Sequence, residues 1–221
     1  MGRDKMKSRF HGELKEIKKD VLRMGDLAKG MLKNSVAALM KQDNELADEV
    51  LSHKEEIMDM DDKIEHRCLQ AIAMYQPMAR DMRVIGACLK LITYLTRIGR
   101  YGKDIATVAK ELSGKPHLAK LVSIPHMAEL VDGMISDGLT AFEKKDISLL
   151  ENFGERDDDI DALRYAIFRE CLTYMMEDSK NMTRCMHYIM IARYLERCAD
   201  HACKMTEKIT YAITGERVEI K

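Results

Sequence analysis

The sequence has no tryptophan and only three prolines in 221 residues. With so few prolines to interrupt it, a chain rich in Met, Ala, Leu, Lys and Glu leans to helix. It also lacks a dominant charge. A formal net charge of −1 excludes the general basic surface that nucleic-acid binding requires. No apolar run approaches membrane-spanning length, and the polar start MGRDKMKSRF signals no secretory peptide. The six cysteines, at 68, 88, 171, 185, 198 and 203, include no C-x-x-C pair. The expectation is a reduced, cytoplasmic protein whose thiols are free and mostly buried. A glycine-rich phosphate loop and a nucleophile–base arrangement are missing too.

What is present is duplicated. Slid over itself by 103 residues, the chain lays GM (30–31) on GM (133–134), ALMKQD (38–43) on AFEKKD (141–146), and RCL (67–69) on ECL (170–172). Ile57 then meets Ile160, and Ile64 meets Ile167. Farther on the offset falls to 100, where YLTR (94–97) meets YLER (194–197), implying a turn three residues shorter in the second half. A common offset and order argue for internal repetition.

Each half divides into three helical stretches, over 6–42, 44–75 and 78–112, then 126–144, 146–177 and 181–213. Breaks fall at Gln76–Pro77, SGKP (113–116), Ile124–Pro125 and Asp178–Ser179, where proline disfavours helix at itself and at the residue before it. Ile191, Leu195, Cys198, Ala202, Met205, Ile209 and Ile213 form an apolar stripe on the last helix, and Ile160, Leu163, Ile167, Cys171 and Tyr174 repeat it on the fifth. The expected fold is all-α: two tandem antiparallel three-helix bundles, over 1–112 and 126–221, joined by a linker at 113–125.

Glu196 and Asp200 lie four apart in YLERCADHA (194–202), a spacing at which like charges share a helix face and repel. Both sit away from the stripe, so they are expected to face outward. On a chain one-third charged, one such pair needs no explanation. The fifth helix adds Asp157 and Asp161, again four apart. Counted from the turn near 179, Asp161 and Glu196 lie at nearly the same distance, as do Asp157 and Asp200 one turn deeper. Four carboxylates in one patch are unfavourable unless cations neutralise them. Oxygen-only ligation suits magnesium, manganese, calcium or iron, whereas zinc prefers thiols and imidazoles. Ala199 stands three after Glu196, so the Glu-x-x-His pattern of di-metal oxidases is absent.

YQPMARDMR (75–83) with YLTRIGRYGKDIA (94–106), and YMMEDSK (174–180) with IARYLERCADHACKM (191–205), resemble the PhoU family of phosphate-uptake regulators. The resemblance runs nearly the whole chain, to ITGERVE (213–219). It implies two three-helix bundles, each with an E-x-x-x-D pair facing a D-x-x-x-D pair that can hold a metal cluster. It further implies a negative regulator of phosphate-starvation signalling and of phosphate homeostasis. The implied partners are a phosphate transporter component, a sensor histidine kinase, or both, reached peripherally at the inner membrane face, with a homodimer expected. Carried over by residue, the second repeat keeps Asp157, Asp161, Glu196 and Asp200. The implied cofactor is a divalent or iron-type metal cluster, with iron, manganese, magnesium and zinc the candidates. The first repeat departs, with Thr96 and Arg100 on its third helix and, at offset 103, Lys54 and Met58 on its second; offset 100 would bring Asp61 there instead. One metal site per chain is expected.

Other residues read more plainly. Arg97 and Arg197 keep one place in both repeats, and interhelical salt bridges are expected there rather than phosphate contacts. Asp81, beside Arg83, compensates the start of the third helix. His187 and His201 are expected at the surface or satisfied, with His201 a possible support for a metal ligand. Met175, Met176, Met182, Met186 and Met190 read as adaptable core before contact surface, and Cys68 and Cys171 as packing. Two readings stand beside the regulator: a metal-dependent enzyme in which the carboxylates activate water, and a metal-free helical adaptor.

Overall fold

The structure, a computed structural model, describes residues 2–118 and 123–220. Six α-helices follow in order: α1 (Gly2–Lys41), α2 (Asn44–Tyr75), α3 (Arg80–Leu112), α4 (Ser123–Lys144), α5 (Phe153–Glu177) and α6 (Met182–Thr214). Helices α1, α2 and α3 pack on one another, as do α4, α5 and α6. The result is all-α, two three-helix bundles in tandem. One continuous core runs through both, because α3 lies against α6 and α1 against α4. All six cysteines are free and buried.

The duplication is visible in backbone detail. After α1, Gln42 turns left-handed (φ 53°) and the Asp43 N–H donates to the Ala38 carbonyl at 3.0 Å. After α4, Lys145 does the same (φ 59°), and the Asp146 N–H donates to the Ala141 carbonyl at 3.2 Å. Each pair is 103 residues apart, and each bond closes the preceding helix over its free carbonyls. The repeats then part. The Asp43 carboxylate accepts from the Leu46 N–H at 3.0 Å and caps α2 at once. Asp146 instead accepts from the Ser148 N–H, and the chain passes through a short 3₁₀ turn (Ser148–Leu150) and left-handed Asn152 before α5. The fifth helix therefore starts at Phe153 rather than 146. Helix α4 starts at Ser123, earlier than expected, because proline is tolerated in a first helical turn and Pro125 falls there. Residues 119–122 of the expected linker lie outside the described residues.

The turn in the second half is not shorter. Both hairpin connections, 76–79 and 178–181, have four residues outside the α-helices. The missing residues come from the end of α5 and the start of α6. Helices α3 and α6 pack antiparallel: Tyr94 stacks on His201 at 5.7 Å and Tyr101 on Tyr194 at 5.6 Å. Since Tyr94 corresponds to Tyr194 and Tyr101 to His201, these contacts mark a pseudo-twofold axis between the repeats.

Candidate metal centre

The α5–α6 seam positions the acidic residues. Ile160, Ile167 and Cys171 hold α5 against Ile191, Leu195 and Cys198 of α6, all buried. Asp157 and Asp161 stand at the edge of that contact, facing Glu196 and Asp200. The carboxyl of Asp157 shows the crowding. Burial pushes it up to about 6, and Asp200, Asp161 and Glu196 add in that order. The Cys203 thiol beside it is raised as well, by burial and then by Asp157 and Asp200.

Glu196 does not face outward. It is 9% exposed, at the seam rather than on the solvent side. Helical angle alone placed it away from the stripe; long arginines close over that edge and bury it. Arg193 donates to its Oε1, Arg164 Nε lies 4.0 Å from Oε1, and Arg197 Nε lies 3.9 Å from Oε2. Arg164 also stands 3.7 Å from Asp161, and Arg197 3.5 Å from Asp200. Glu196 Oε2 and Arg164 Nε are both buried without a hydrogen-bond partner. Burial nonetheless raises the Glu196 acid, opposed chiefly by Arg193. The donor set suits a hard cation, and the orphaned Oε2 is a ready ligand atom. Among the described residues, however, no three His, Cys, Asp or Glu side chains converge closely enough to hold a metal ion as they stand. The cations now serving the patch are guanidinium groups.

The matching place in the first repeat is built differently. Burial of Ile57, Ile64 and Cys68 in step with Ile160, Ile167 and Cys171 fixes the offset of 103 on this helix pair. Lys54 and Met58 therefore replace Asp157 and Asp161, while Asp61 corresponds to Arg164. Asp61 faces Thr96: burial raises its carboxyl, the Thr96 hydroxyl opposes this, and Glu65 and Asp62 add to it. Lys54 and Arg100 are exposed.

Family-model comparison identifies a PhoU domain twice, at residues 21–109 and 124–209. The chain belongs to the PhoU family. Among its PhoU relatives, a "phosphate-specific transport system accessory protein PhoU homolog" of Aquifex aeolicus is 38% identical over 207 residues, covering 94% of each chain. A protein of the same description from Clostridium acetobutylicum is 34% identical over 212 residues, 96% of this chain and 97% of its own. The crystal structure of PhoU from Pseudomonas aeruginosa superposes with a TM-score of 0.89 at 31% identity, covering 94% of this chain and 100% of that one. The phosphate transport system regulatory protein PhoU from Streptococcus pneumoniae gives 0.86 at 26% identity, covering 95% and 99%. This PhoU chain is thus similar over its length to accessory proteins of phosphate transport, and no helix among the described residues is long and apolar enough to cross a membrane.

Several side chains lie elsewhere than expected. Arg197 pairs within its own helix, and Arg97 has no carboxylate within salt-bridge reach among the described residues. Both are exposed, and for Arg197 the carboxylates one and three residues away on its own helix are nearer than any on the next. His187 reaches α3, 3.6 Å from Glu111. His201 is buried, stacked on Tyr94 and Tyr101, with Nε2 unpartnered. Burial lowers it to about 4, helped by Arg97 and Arg197, and keeps it neutral. Asp81 does sit in the first turn of α3. Of the five methionines from Met175 to Met190 expected as core, only Met175 packs on it; Met176 is 88% exposed, and Met182, Met186 and Met190 are exposed too. Cys185, Tyr188, Ile191 and Ala192 already fill the inner face of α6 there. Arg164 and Arg193 escaped the sequence reading. The available signal was their three-residue spacing from Asp161 and to Glu196.

Proposed function

We propose that this chain is a cytoplasmic, non-catalytic PhoU-type regulator of phosphate uptake and homeostasis. It restrains phosphate-starvation signalling by contacting a phosphate transporter component, a sensor histidine kinase, or both, as a homodimer held at the inner membrane face through those partners. The observation that carries this reading is the full-length match to phosphate-specific transport accessory proteins on a twofold-repeated helical fold. An apolar outer face on the second repeat supports protein contact: Tyr165, Phe168 and Leu172 on α5 and Met182, Met186 and Met190 on α6 are exposed side chains. The proposal includes a metal site at Asp157, Asp161, Glu196 and Asp200, reached when Arg164 and Arg193 swing off Glu196. A bound metal cluster would offset the charge of the four acids and lock α5 to α6.

Deletion of the gene is expected to derepress a phosphate-starvation reporter in phosphate-replete medium. Restoration by the wild-type gene but not by a variant with charged residues at Phe168 and Met186 supports the contact reading. An unchanged reporter in the deletion strain contradicts regulation altogether. Metal affinity is expected to fall as pH drops through about 6, where a proton competes for Asp157. Calorimetric titration at pH 5.5 and 7.5 checks it.

A further inference from the structure

At the end of the molecule where α3 begins and α6 ends, a cavity of about 450 Å³ is lined by Arg83, Lys90, Lys208 and Arg217, with Tyr211 between them. Its third wall is the chain after α6. Gly215 adopts φ 85°, a left-handed conformation that reverses the backbone. The Ile220 N–H then donates to Glu207 Oε1 at 3.3 Å and ties the segment back along α6. That reversal sets Arg217 5.6 Å from the centre of the Tyr211 ring, with Arg83 at 6.0 Å.

The charges are unbalanced. Glu207 is the acid in the lining, and it is already engaged, by Lys204 at 2.7 Å, Lys208 at 3.6 Å and the Ile220 N–H. Arg83, Lys90 and Arg217 have no carboxylate within salt-bridge reach among the described residues, and the buried Arg83 Nε has no hydrogen-bond partner. Packing does not demand these cations. Across the pseudo-twofold axis the positions of Arg83, Lys90 and Lys208 are held by Thr183, Met190 and Val108, and the helices still meet there, His187 of α6 standing 3.6 Å from Glu111 of α3. Gly86 leaves the floor open, since a Cβ there would meet nothing within 4 Å.

We infer that this groove is an oxyanion site that takes a phosphoryl group, with Arg83 and Arg217 forming the clamp and Lys90 and Lys208 supplying charge along it. Guanidinium groups present paired N–H donors that match phosphoryl oxygens, and ammonium groups add field without demanding geometry. The choice of phosphate probes rests on the regulator reading; the excess of cations does not. The second basic cavity, near Lys15 and Lys145, is a weaker candidate because its half-buried Lys18 is taken by the Phe142 carbonyl at 3.1 Å.

Isothermal titration of the full chain with orthophosphate and with tripolyphosphate, at fixed 150 mM salt, tests this. Saturable binding of either probe is expected, weakened at least tenfold by Arg217→Gln and by Arg83→Gln and unchanged by Lys15→Gln/Lys145→Gln. Binding of orthophosphate identifies a free ion as the ligand, and binding of tripolyphosphate alone identifies a phosphoryl chain. Arg217 is exposed on the terminal segment, so its substitution leaves the fold intact and decides the matter if Arg83→Gln lowers the melting temperature. No saturable binding of either probe overturns the site, as does full-strength binding by Arg217→Gln. A regulator phenotype that survives such a negative result separates this failure from failure of the functional reading.

Discussion

Lys54, Met58, Thr96 and Arg100 in the first repeat stand where the second has Asp157, Asp161, Glu196 and Asp200. The helices around both sets pack alike, with Ile57 and Ile160, Ile64 and Ile167, and Leu95 and Leu195 all buried. The bundle therefore needs neither set. A duplicated fold carries its own control: what recurs in both halves serves packing, and what differs is free to serve function. By that measure the residues to test for function are the carboxylates, the exposed Tyr165, Phe168, Met186 and Met190 that Asp62, Glu65, Gly86 and Lys90 replace in the first repeat, and the basic groove at the other end of the α3–α6 pair. The αL turns at Gln42 and Lys145, the free, buried cysteines that correspond at 68 and 171, and the buried isoleucines belong to the fold.

The largest expected effect breaks that symmetry in the core. A Cβ on Gly102 would lie 2.9 Å from backbone atoms of Met31 and Leu32, whereas its counterpart Ala202 is accommodated and buried. Gly102→Ala should destabilise by about 2 kcal/mol, as overpacking against backbone does; Ala202→Gly should cost about 1 kcal/mol through backbone entropy. Urea denaturation of the two variants checks the difference.

Next is the cost of the acidic patch. In the unfolded chain Asp157 titrates near 3.8, and in the folded chain at about 6. Between those values the folded state binds more protons, so its stability falls as pH rises through the window and stays lower above it. Asp157→Asn should therefore stabilise by about 1 kcal/mol at pH 7.5, the full linkage being discounted for a half-exposed acid. Below pH 3.8 the gain should vanish. Metal-free thermal melts across pH 3.5–8 follow it, and a gain that grows toward low pH would contradict the shift.

A smaller effect separates the two turns. Asp43 caps a long helix and Asp146 only a short turn, so Asp43→Ala should cost about 1 kcal/mol and Asp146→Ala less. Melting temperatures of the pair read it.

The fold was legible because helical periodicity, scarce proline and an internal offset all point one way. The start of α5 was not, since ISLLEN after Asp146 reads as helix in pattern while Asn152 adopts a left-handed turn. Asp157, Asp161, Glu196 and Asp200 could be placed together by counting from the hairpin. Their neutralisation could not, because it depends on which way Arg164 and Arg193 fold over the seam. Nor could the exposed methionines: their spacing is helical, and only the packing of Cys185 and Tyr188 shows which face is inside. The basic groove joins residues from both halves and the final segment, a proximity that no local pattern carries.

Metal analysis by mass spectrometry, on protein purified without a histidine tag and reconstituted with iron, manganese and magnesium, tests the central contrast most directly. Wild type is compared with Asp161→Ala/Glu196→Ala and with Thr96→Ala/Arg100→Ala. A stoichiometric metal retained by the first-repeat variant and lost from the second-repeat variant is the expected result. No metal in any sample, or a metal lost with Thr96 and Arg100 instead, would contradict the account and leave the acids of α5 and α6 to their arginines.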